Sequence, residues 1–228
     1  MTIVQELPRQ EQRIRMSYEA FLTQIDEHAH AEWVNGETII FMPPTSEHQD
    51  LSGFLIALLR AFVDFFRLGT ILPAPFEMKP TPESNAREPD IVFVAQENRW
   101  RLTEKKLEGP ADLLIEIIST ESVTRDRDDK FYEYQAAGVR EYWVIDPRPR
   151  RQRADFWVLD AKGHYRPVPL TEDDIYHSTV LPNFWLDVNW LWQKELPDVI
   201  LTFARIVGPE HVIAALREMT KAQSEHEQ

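Results

Sequence analysis

The sequence predicts an α/β protein with a central mixed β-sheet flanked by helices and a helical extension at the C-terminus. Three observations lead to this prediction. Two nearly continuous apolar runs, at 111–118 and 141–145, are typical of strands buried on both faces. Apolar residues recur at helical spacing over 46–66. Helical and strand-like segments alternate along the chain, which favours helices packed outside one sheet.

The first half of the chain contains one clear hairpin signal and two helix signals. Ser17 is a candidate N-cap for a short amphipathic helix. Asn35-Gly36 favours a tight two-residue turn, and Gly69 ends the long helix before it. The predicted elements are a helix at 17–26, a hairpin at 31–41, a helix at 46–66 and strands at 70–72, 76–79 and 91–94.

The second half alternates strands with helices before its texture changes at residue 171. Thr124 is the expected start of a helix with three aspartates in its early turns, and Gly138 is its expected end. The predicted elements are a loop with a helical turn at 96–109, strands at 111–118 and 141–145, a helix at 124–137, a hairpin of 154–159 with 164–168, and helices at 198–206 and 210–221. We therefore expect one core domain over 1–192 and a helical extension with a polar tail over 193–228.

Composition excludes several classes of function. The 228-residue chain has no cysteine, which removes disulfides, thiolate zinc sites and thiol nucleophiles. No secretory signal, membrane-length apolar run or glycine-rich phosphate loop is visible, so we expect a cytoplasmic protein without membrane contact. His28 and His30 have strand-like spacing but no third ligand nearby, which favours ordinary surface histidines.

The formal charge of −13 is unusual for a protein that grips nucleic acid. Residues 171–228 carry a net charge of −6, so nearly half of the excess lies in the last quarter of the chain. Two basic clusters remain as candidates for phosphate contact or as solvated surface: Arg99, Arg101, Lys105 and Lys106, and Arg148, Arg150, Arg151 and Arg153.

Glu116 is the sharpest local conflict, because it lies within the apolar run at 111–118. A buried carboxylate costs several kcal/mol unless a metal or a cation compensates it. A buried ion pair with an arginine, or an exposed sheet end, would also explain it. Asp90 follows a proline and opens the strand at 91–94. Together the two carboxylates would form a hard oxygen site suited to Mg²⁺ or Mn²⁺.

Lys130 lies on the helix that follows the Glu116 strand. If that helix packs back on the sheet, its cation reaches the carboxylates and can stabilise charge on an attacked phosphate or position water. The alternative is an exposed i,i+4 pair with Asp126.

The ordered motifs over 16–192 resemble the Uma-type family of putative restriction endonucleases, bacterial proteins of the PD-(D/E)XK superfamily. The central motifs are Pro89-Asp90, Glu116-Ile117-Ile118-Ser119, Lys130 with Tyr134, Gly138-Val139-Arg140-Glu141-Tyr142-Trp143 and Asp146-Pro147. The opening motifs are Glu32-Trp33-Val34-Asn35-Gly36-Glu37, Met42-Pro43-Pro44 and His48.

The resemblance implies a restriction-endonuclease-like core that binds Mg (or Mn) through Asp90, Glu116 and the backbone carbonyl of Ile117. Metal-activated water would hydrolyse a phosphodiester bond of nucleic acid, with DNA favoured, and a homodimer is expected by analogy. The superfamily's lysine, two residues after the glutamate, is replaced here by Ile118. In Uma-type proteins the lysine lies on the next helix, so the resemblance implies that Lys130 takes that role.

Other positions stay open. Glu32 and Glu37 are candidate third acidic ligands or water-orienting groups, or simply hairpin surface, and His48 is a further candidate. Thr120 stands where the family usually has proline. Two rival interpretations also remain: a catalytically inactive module that binds nucleic acid or protein, and an unrelated α/β hydrolase or scaffold in which Glu116 is only a buried ion pair.

Overall fold

A computed structural model of the protein describes residues 11–26, 29–119 and 122–226, and the side chains as far as residue 218. The strands are β1 (Gln12–Arg15), β2 (Ala31–Val34), β3 (Glu37–Ile40), β4 (Gly69–Pro73), β5 (Glu77–Met78), β6 (Ile91–Ala95), β7 (Lys106–Leu107), β8 (Leu113–Ile117), β9 (Glu141–Asp146), β10 (Arg153–Leu159), β11 (Tyr165–Pro167), β12 (Ile175–His177) and β13 (Trp185–Asp187). The helices are α1 (Tyr18–Gln24), α2 (Ser46–Phe66), α3 (Lys130–Ala137), α4 (Val199–Val207) and α5 (Pro209–His226).

The central sheet has six strands in the order β11-β10-β9-β8-β6-β4. Strands β8 and β9 are parallel, with Glu116 opposite Val144, and the other neighbours are antiparallel. The sheet is therefore mixed, and the predicted fold class is confirmed.

Each face of the sheet is covered by a different layer. On one face Leu55 and Leu58 of α2 are fully buried against odd-numbered strand residues such as Ile115. On the other face Tyr134 of α3 packs with even-numbered residues such as Leu114. Because side chains alternate along a strand, Glu116 points to the face that α3 covers.

A smaller sheet of order β1-β3-β2 precedes the core. The predicted hairpin is confirmed, with Asn35 and Gly36 in the left-handed region at φ 51° and 82°. Strand β1 escaped prediction because its four residues, Gln12–Arg15, are all exposed and carry no apolar alternation.

The helix expected from Thr124 begins with an irregular turn. A π-helical turn occupies Arg125–Asp129, and the backbone N–H of Lys130 donates to the carbonyl of Arg125. Thr124 precedes this turn as its N-cap residue, so the predicted start of the helix is confirmed, although its side chain makes no capping hydrogen bond. The loop at 96–109 does contain the expected turn, a 3₁₀ helix at Gln96–Arg101, and also the unpredicted strand β7.

The C-terminal helices are present as predicted, and α4 packs on α2 through Phe203 and Phe65, whose ring centroids are 5.3 Å apart. The division of the chain at residue 192 stays a prediction. No single helix among the described residues is long and apolar enough to cross a membrane. Val199–Val207 and Pro209–Glu218 meet that length and composition only as a pair bent by 101°.

Candidate active site

Asp90 and Glu116 meet at one end of the central sheet. Strands β6 and β8 pair Ile91 with Ile115, so continuing this register places Asp90 opposite Glu116. Both side chains are buried. The backbone N–H of Ile117 donates to Asp90 Oδ2 at 2.7 Å, which fixes the aspartate against the neighbouring strand. The structure thus brings together the two predicted carboxylates and the predicted carbonyl residue.

Lys130 reaches the same place from the helical layer and is only 3% exposed. Its Nζ donates to Glu116 Oε1 at 2.8 Å and lies 3.0 Å from Glu32 Oε1 and 3.5 Å from Asp126 Oδ1. Tyr134 donates its hydroxyl to the same Glu116 oxygen at 2.8 Å. Lys130 does lie four residues after Asp126, but the exposed pair considered from the sequence is wrong because both side chains are buried.

Glu32 anchors this lysine from β2. Its side chain is fully buried, and Arg87 Nη1 donates to Glu32 Oε2 at 2.8 Å. Glu133 in turn holds Arg87 at 2.6 and 2.8 Å. Burial would raise the pKa of Glu32, but Lys130 and Arg87 outweigh it and hold that pKa at about 2. Glu32 therefore stays ionised beside Lys130.

His48 lies in the first turn of α2, with Nε2 3.3 Å from Asp90 Oδ2. Burial lowers the pKa of His48, yet the Asp90 carboxylate outweighs burial and the net shift is upward. Its Nδ1 is buried without a hydrogen-bond partner among the described residues. Glu37 is not brought to this cluster. Its position beside the hairpin turn leaves its carboxylate next to Arg13 and Arg15, at 3.8 and 3.5 Å.

A cavity of about 500 Å³ opens at this cluster. Its lining includes the predicted residues Glu32, His48, Asp90, Glu116, Ile117 and Lys130. His30 lines it as well, 34% exposed and 3.8 Å from Glu88, which corrects its interpretation as an ordinary surface histidine. His28 lies outside the described residues.

The cluster holds more buried carboxyl groups than buried cations, with Glu32, Asp90, Glu116 and Asp126 around Lys130 and Arg87. Burial raises the pKa of Glu116 to about 8, since the opposing effect of Lys130 is offset by Asp126, Asp90 and Glu32. Burial raises the pKa of Asp126 as well. A divalent cation bound here would therefore take the place of protons on these carboxyl groups.

The donor set fits a divalent metal. Two carboxylates, Asp90 and Glu116, and the Ile117 backbone are hard oxygen donors of the kind that Mg²⁺ and Mn²⁺ prefer. Asp126 Oδ1 is buried without a hydrogen bond within the described part of the chain. The described residues contain no group of three or more acidic or histidine side chains arranged as ligands, so the expected set depends on the backbone carbonyl as its third member.

Several residues of the site were missed from the sequence. Arg87 is only three residues before Asp90 and directly precedes Glu88-Pro89, and this proximity to a candidate ligand was the signal that could have indicated it. The sequence indicated Asp126 only as a surface partner of Lys130, and no pattern singled out Arg125. Both lie on the π-helical turn, which widens the helix and which sequence periodicity does not predict.

The six-stranded mixed sheet, with an aspartate, a glutamate and a lysine converging at one end, places the protein in the nuclease-like class of α/β folds. The fold is shared with the crystal structure of a putative nuclease of the DUF820 family from Anabaena variabilis. The TM-score is 0.60 at 16% sequence identity, over 76% of this chain and 96% of that one.

The family model Uma2, described as a putative restriction endonuclease, matches residues 18–189. The chain therefore belongs to the Uma2 family, and the resemblance found in the sequence is confirmed. Among curated proteins no match was found.

Proposed function

We propose that this protein is a metal-dependent endonuclease that hydrolyses phosphodiester bonds of DNA. The supporting observation is the convergence of the buried side chains of Asp90, Glu116 and Lys130 at one cavity, in a chain of the Uma2 family. Asp90, Glu116 and the carbonyl of Ile117 would hold Mg²⁺ or Mn²⁺. When bound there, the metal supplies Lewis acidity toward water and the phosphoryl group.

Lys130 contributes positive charge to the attacked phosphate. Burial lowers the pKa of Lys130, but Glu116 and Glu32 outweigh burial, so the net shift is upward and the ammonium persists. Its Nζ can turn the donor that faces Asp126, its most distant carboxylate at 3.5 Å, to a phosphate oxygen as negative charge develops there. Glu32 and Tyr134 hold Lys130 and Glu116 in place, so that little reorganisation is needed during the reaction.

His48 orients the aspartate and offers a proton-handling group. Its Nε2 contacts Asp90, while Nδ1 has no hydrogen-bond partner among the described residues. Within hydrogen-bonding reach of a substrate, Nδ1 would accept or donate a proton.

By analogy with the family, we propose DNA and not RNA as the substrate. We also propose a homodimer, since cutting two strands suits a two-fold pair. Light scattering coupled to gel filtration tests the dimer. Digestion of duplex DNA and of RNA in parallel tests the substrate.

The decisive experiment compares cleavage of DNA by the wild type with cleavage by Glu116→Gln, in Mn²⁺ or Mg²⁺ and in EDTA. We expect activity only with metal, and a loss of roughly 100-fold or more in the variant, as when one charge-stabilising group is removed elsewhere. Glu108→Gln is a matched control, because Glu108 is exposed, pairs with Lys106 and is not among the residues that line the cavity.

Cleavage that persists in EDTA, or that is equal in Glu116→Gln, would contradict the proposal. Binding of DNA without cleavage in any metal would instead identify a binding module. The net charge of −13 is unusual for a protein that grips nucleic acid, and it favours an inactive module that binds protein as the second candidate.

A further inference from the structure

We propose that Arg125 is a phosphate-binding residue of the cavity, and that the carboxylate of Glu11 occupies its anion position in the free protein. This inference rests on the proposed function for the source of the phosphate, a nucleic-acid strand. It adds a binding residue to Asp90, Glu116 and Lys130, the three groups of the proposed active site.

The cavity lining contains two long cationic side chains, Lys130 and Arg125. They differ in how many of their N–H donors already have an acceptor. Lys130 is surrounded by three carboxylates within 3.5 Å. Arg125 is 14% exposed, and its Nε is buried without a hydrogen-bond partner among the described residues. Its guanidinium therefore retains hydrogen-bonding capacity that an incoming anion can use.

Arg125 is held in a geometry suited to an oxyanion. Its guanidinium carbon lies 4.3 Å from the centre of the Phe41 ring, so a cation–π contact restricts the plane of the group. Phe41 lines the same cavity. A planar guanidinium presents parallel N–H donors to two oxygens of a phosphate. Little side-chain order then has to be gained on binding.

The position of Arg125 is next to the reacting groups. It precedes Asp126 in the π-helical turn, with Nε 3.8 Å from Asp126 Oδ1, and Asp126 lies 3.5 Å from Lys130. A phosphate bound at Arg125 is therefore close to the Lys130 cluster. In a strand of nucleic acid this would be the attacked phosphate or one beside it.

Glu11 already occupies the anion position. Its Oε2 accepts from Arg125 Nη1 at 3.0 Å, and its Oε1 accepts from Arg13 Nε at 2.9 Å. Glu11 lines the cavity and is 24% exposed. A phosphate that accepts from Arg125 Nη1 displaces this carboxylate, and the displacement also releases Arg13, which is largely exposed, from Glu11.

A purely structural ion pair would behave differently. If Glu11 and Arg125 only fasten β1 to the π-helical turn, removal of either partner lowers stability and alters binding in the same direction. If Glu11 competes with substrate, Glu11→Gln tightens phosphate binding while Arg125→Ala weakens it. The opposite signs separate the two roles.

The test measures affinity for fluorescein-labelled duplex DNA by anisotropy in EDTA, and for inorganic phosphate by calorimetry. We expect Arg125→Ala to weaken both by about 10-fold or more, the ratio expected when a charge-assisted hydrogen bond is lost. Arg125→Lys should recover part of the loss, and Glu11→Gln should tighten binding several-fold. Arg127→Ala is the matched control. The substitution removes one positive charge two residues from Arg125, and Arg127 itself pairs with Asp155.

Thermal unfolding of each variant checks that it is folded. Equal affinity in wild type and a folded Arg125→Ala, or weaker binding in both Glu11→Gln and Arg125→Ala, overturns the inference while leaving DNA cleavage by the wild type intact. Arg125-dependent binding of phosphate without DNA cleavage under any metal supports the inference and refutes the nuclease proposal.

Discussion

Replacing Lys130 by methionine tests how the active-site cluster is held together. Methionine keeps much of the length and the apolar stem of lysine but removes its charge. The carboxylates of Glu116, Glu32 and Asp126 then face one another in a buried space, with Arg87 and Arg125 at its edge.

The expected loss of stability is large. A unit-charge contact at about 3 Å is worth on the order of 5 kcal/mol at an effective dielectric constant of 20. Desolvation of the lysine offsets much of this gain, but the carboxylates stay buried when their partner is removed. We therefore expect Lys130→Met to lower the free energy of unfolding by about 3–5 kcal/mol, the usual result of breaking a buried pair from one side.

The assay is urea unfolding in EDTA, followed by tryptophan fluorescence, for Lys130→Met, Glu116→Gln and the double variant. Neutralising Glu116 relieves part of the repulsion that Lys130→Met leaves, so the double variant should lose at least 1 kcal/mol less than the two single losses together, a typical coupling for contacting residues. Lys162→Met is the control. Its side chain is exposed in a turn, and a change of about 0.5 kcal/mol or less is expected.

A loss below about 1 kcal/mol in Lys130→Met, or additive losses in the double variant, would refute the reasoning. Either result would mean that the carboxylates do not depend on Lys130 for compensation.

Three further predictions concern metal, backbone and pH. Saturating Mn²⁺ should raise the unfolding temperature of the wild type by roughly 5–10 °C in a scanning fluorimetry experiment, and that of Asp90→Asn by little. Gly69→Ala should lower the free energy of unfolding in urea by about 3 kcal/mol or more, because the added Cβ would clash with the Val94 carbonyl oxygen. Gly53→Ala inside α2 has open space around the added Cβ and should raise the free energy of unfolding by about 0.5–1 kcal/mol. Backbone N–H groups of the turn and the nearby Arg166 hold the pKa of Asp160 at about 2 instead of 3.8. The ionised Asp160 should therefore stabilise the fold above pH 4, and this contribution should vanish as the pH falls toward 2. Thermal melts of the wild type and Asp160→Ala over this pH range measure the difference.

Hydrophobic periodicity predicted the elements whose burial is regular. The bounds of α2 at Ser46–Phe66 agree with the sequence prediction, because seven of its apolar residues recur on one buried side. Strand β1 lacks such a signal, since its Gln12–Arg15 segment is exposed and held by pairing with β3 alone. Backbone pairing at a polar edge is a tertiary property that a single sequence does not encode in its pattern.

The sequence predicted the central residues of the site, Glu116 and Lys130, but not the residues that surround them. Glu116 stood out because a charge inside an apolar strand needs compensation, and the helix that follows this strand in the chain offered Lys130 as a partner. Asp126 and Arg125 depend on the π-helical turn, which shifts side-chain directions relative to an α-helix of the same sequence. Glu32 depends on how a separate hairpin docks beside the core, and only the structure could supply that.

Two interpretations of Glu116 that seemed exclusive in the sequence turn out to coexist. Glu116 is a buried ion-pair partner, of Lys130, and it also lies in the cavity proposed to bind metal. Charge balance distinguishes a structural pair from a cation site. A structural pair is favoured when its charges match, whereas Lys130 is shared among three carboxylates, and the pKa of Glu116 is raised to about 8 by burial and by the acids around it. A divalent cation would replace the protons on these carboxyl groups, and the bound cation would then reduce the repulsion that an acidic cavity exerts on an anionic substrate.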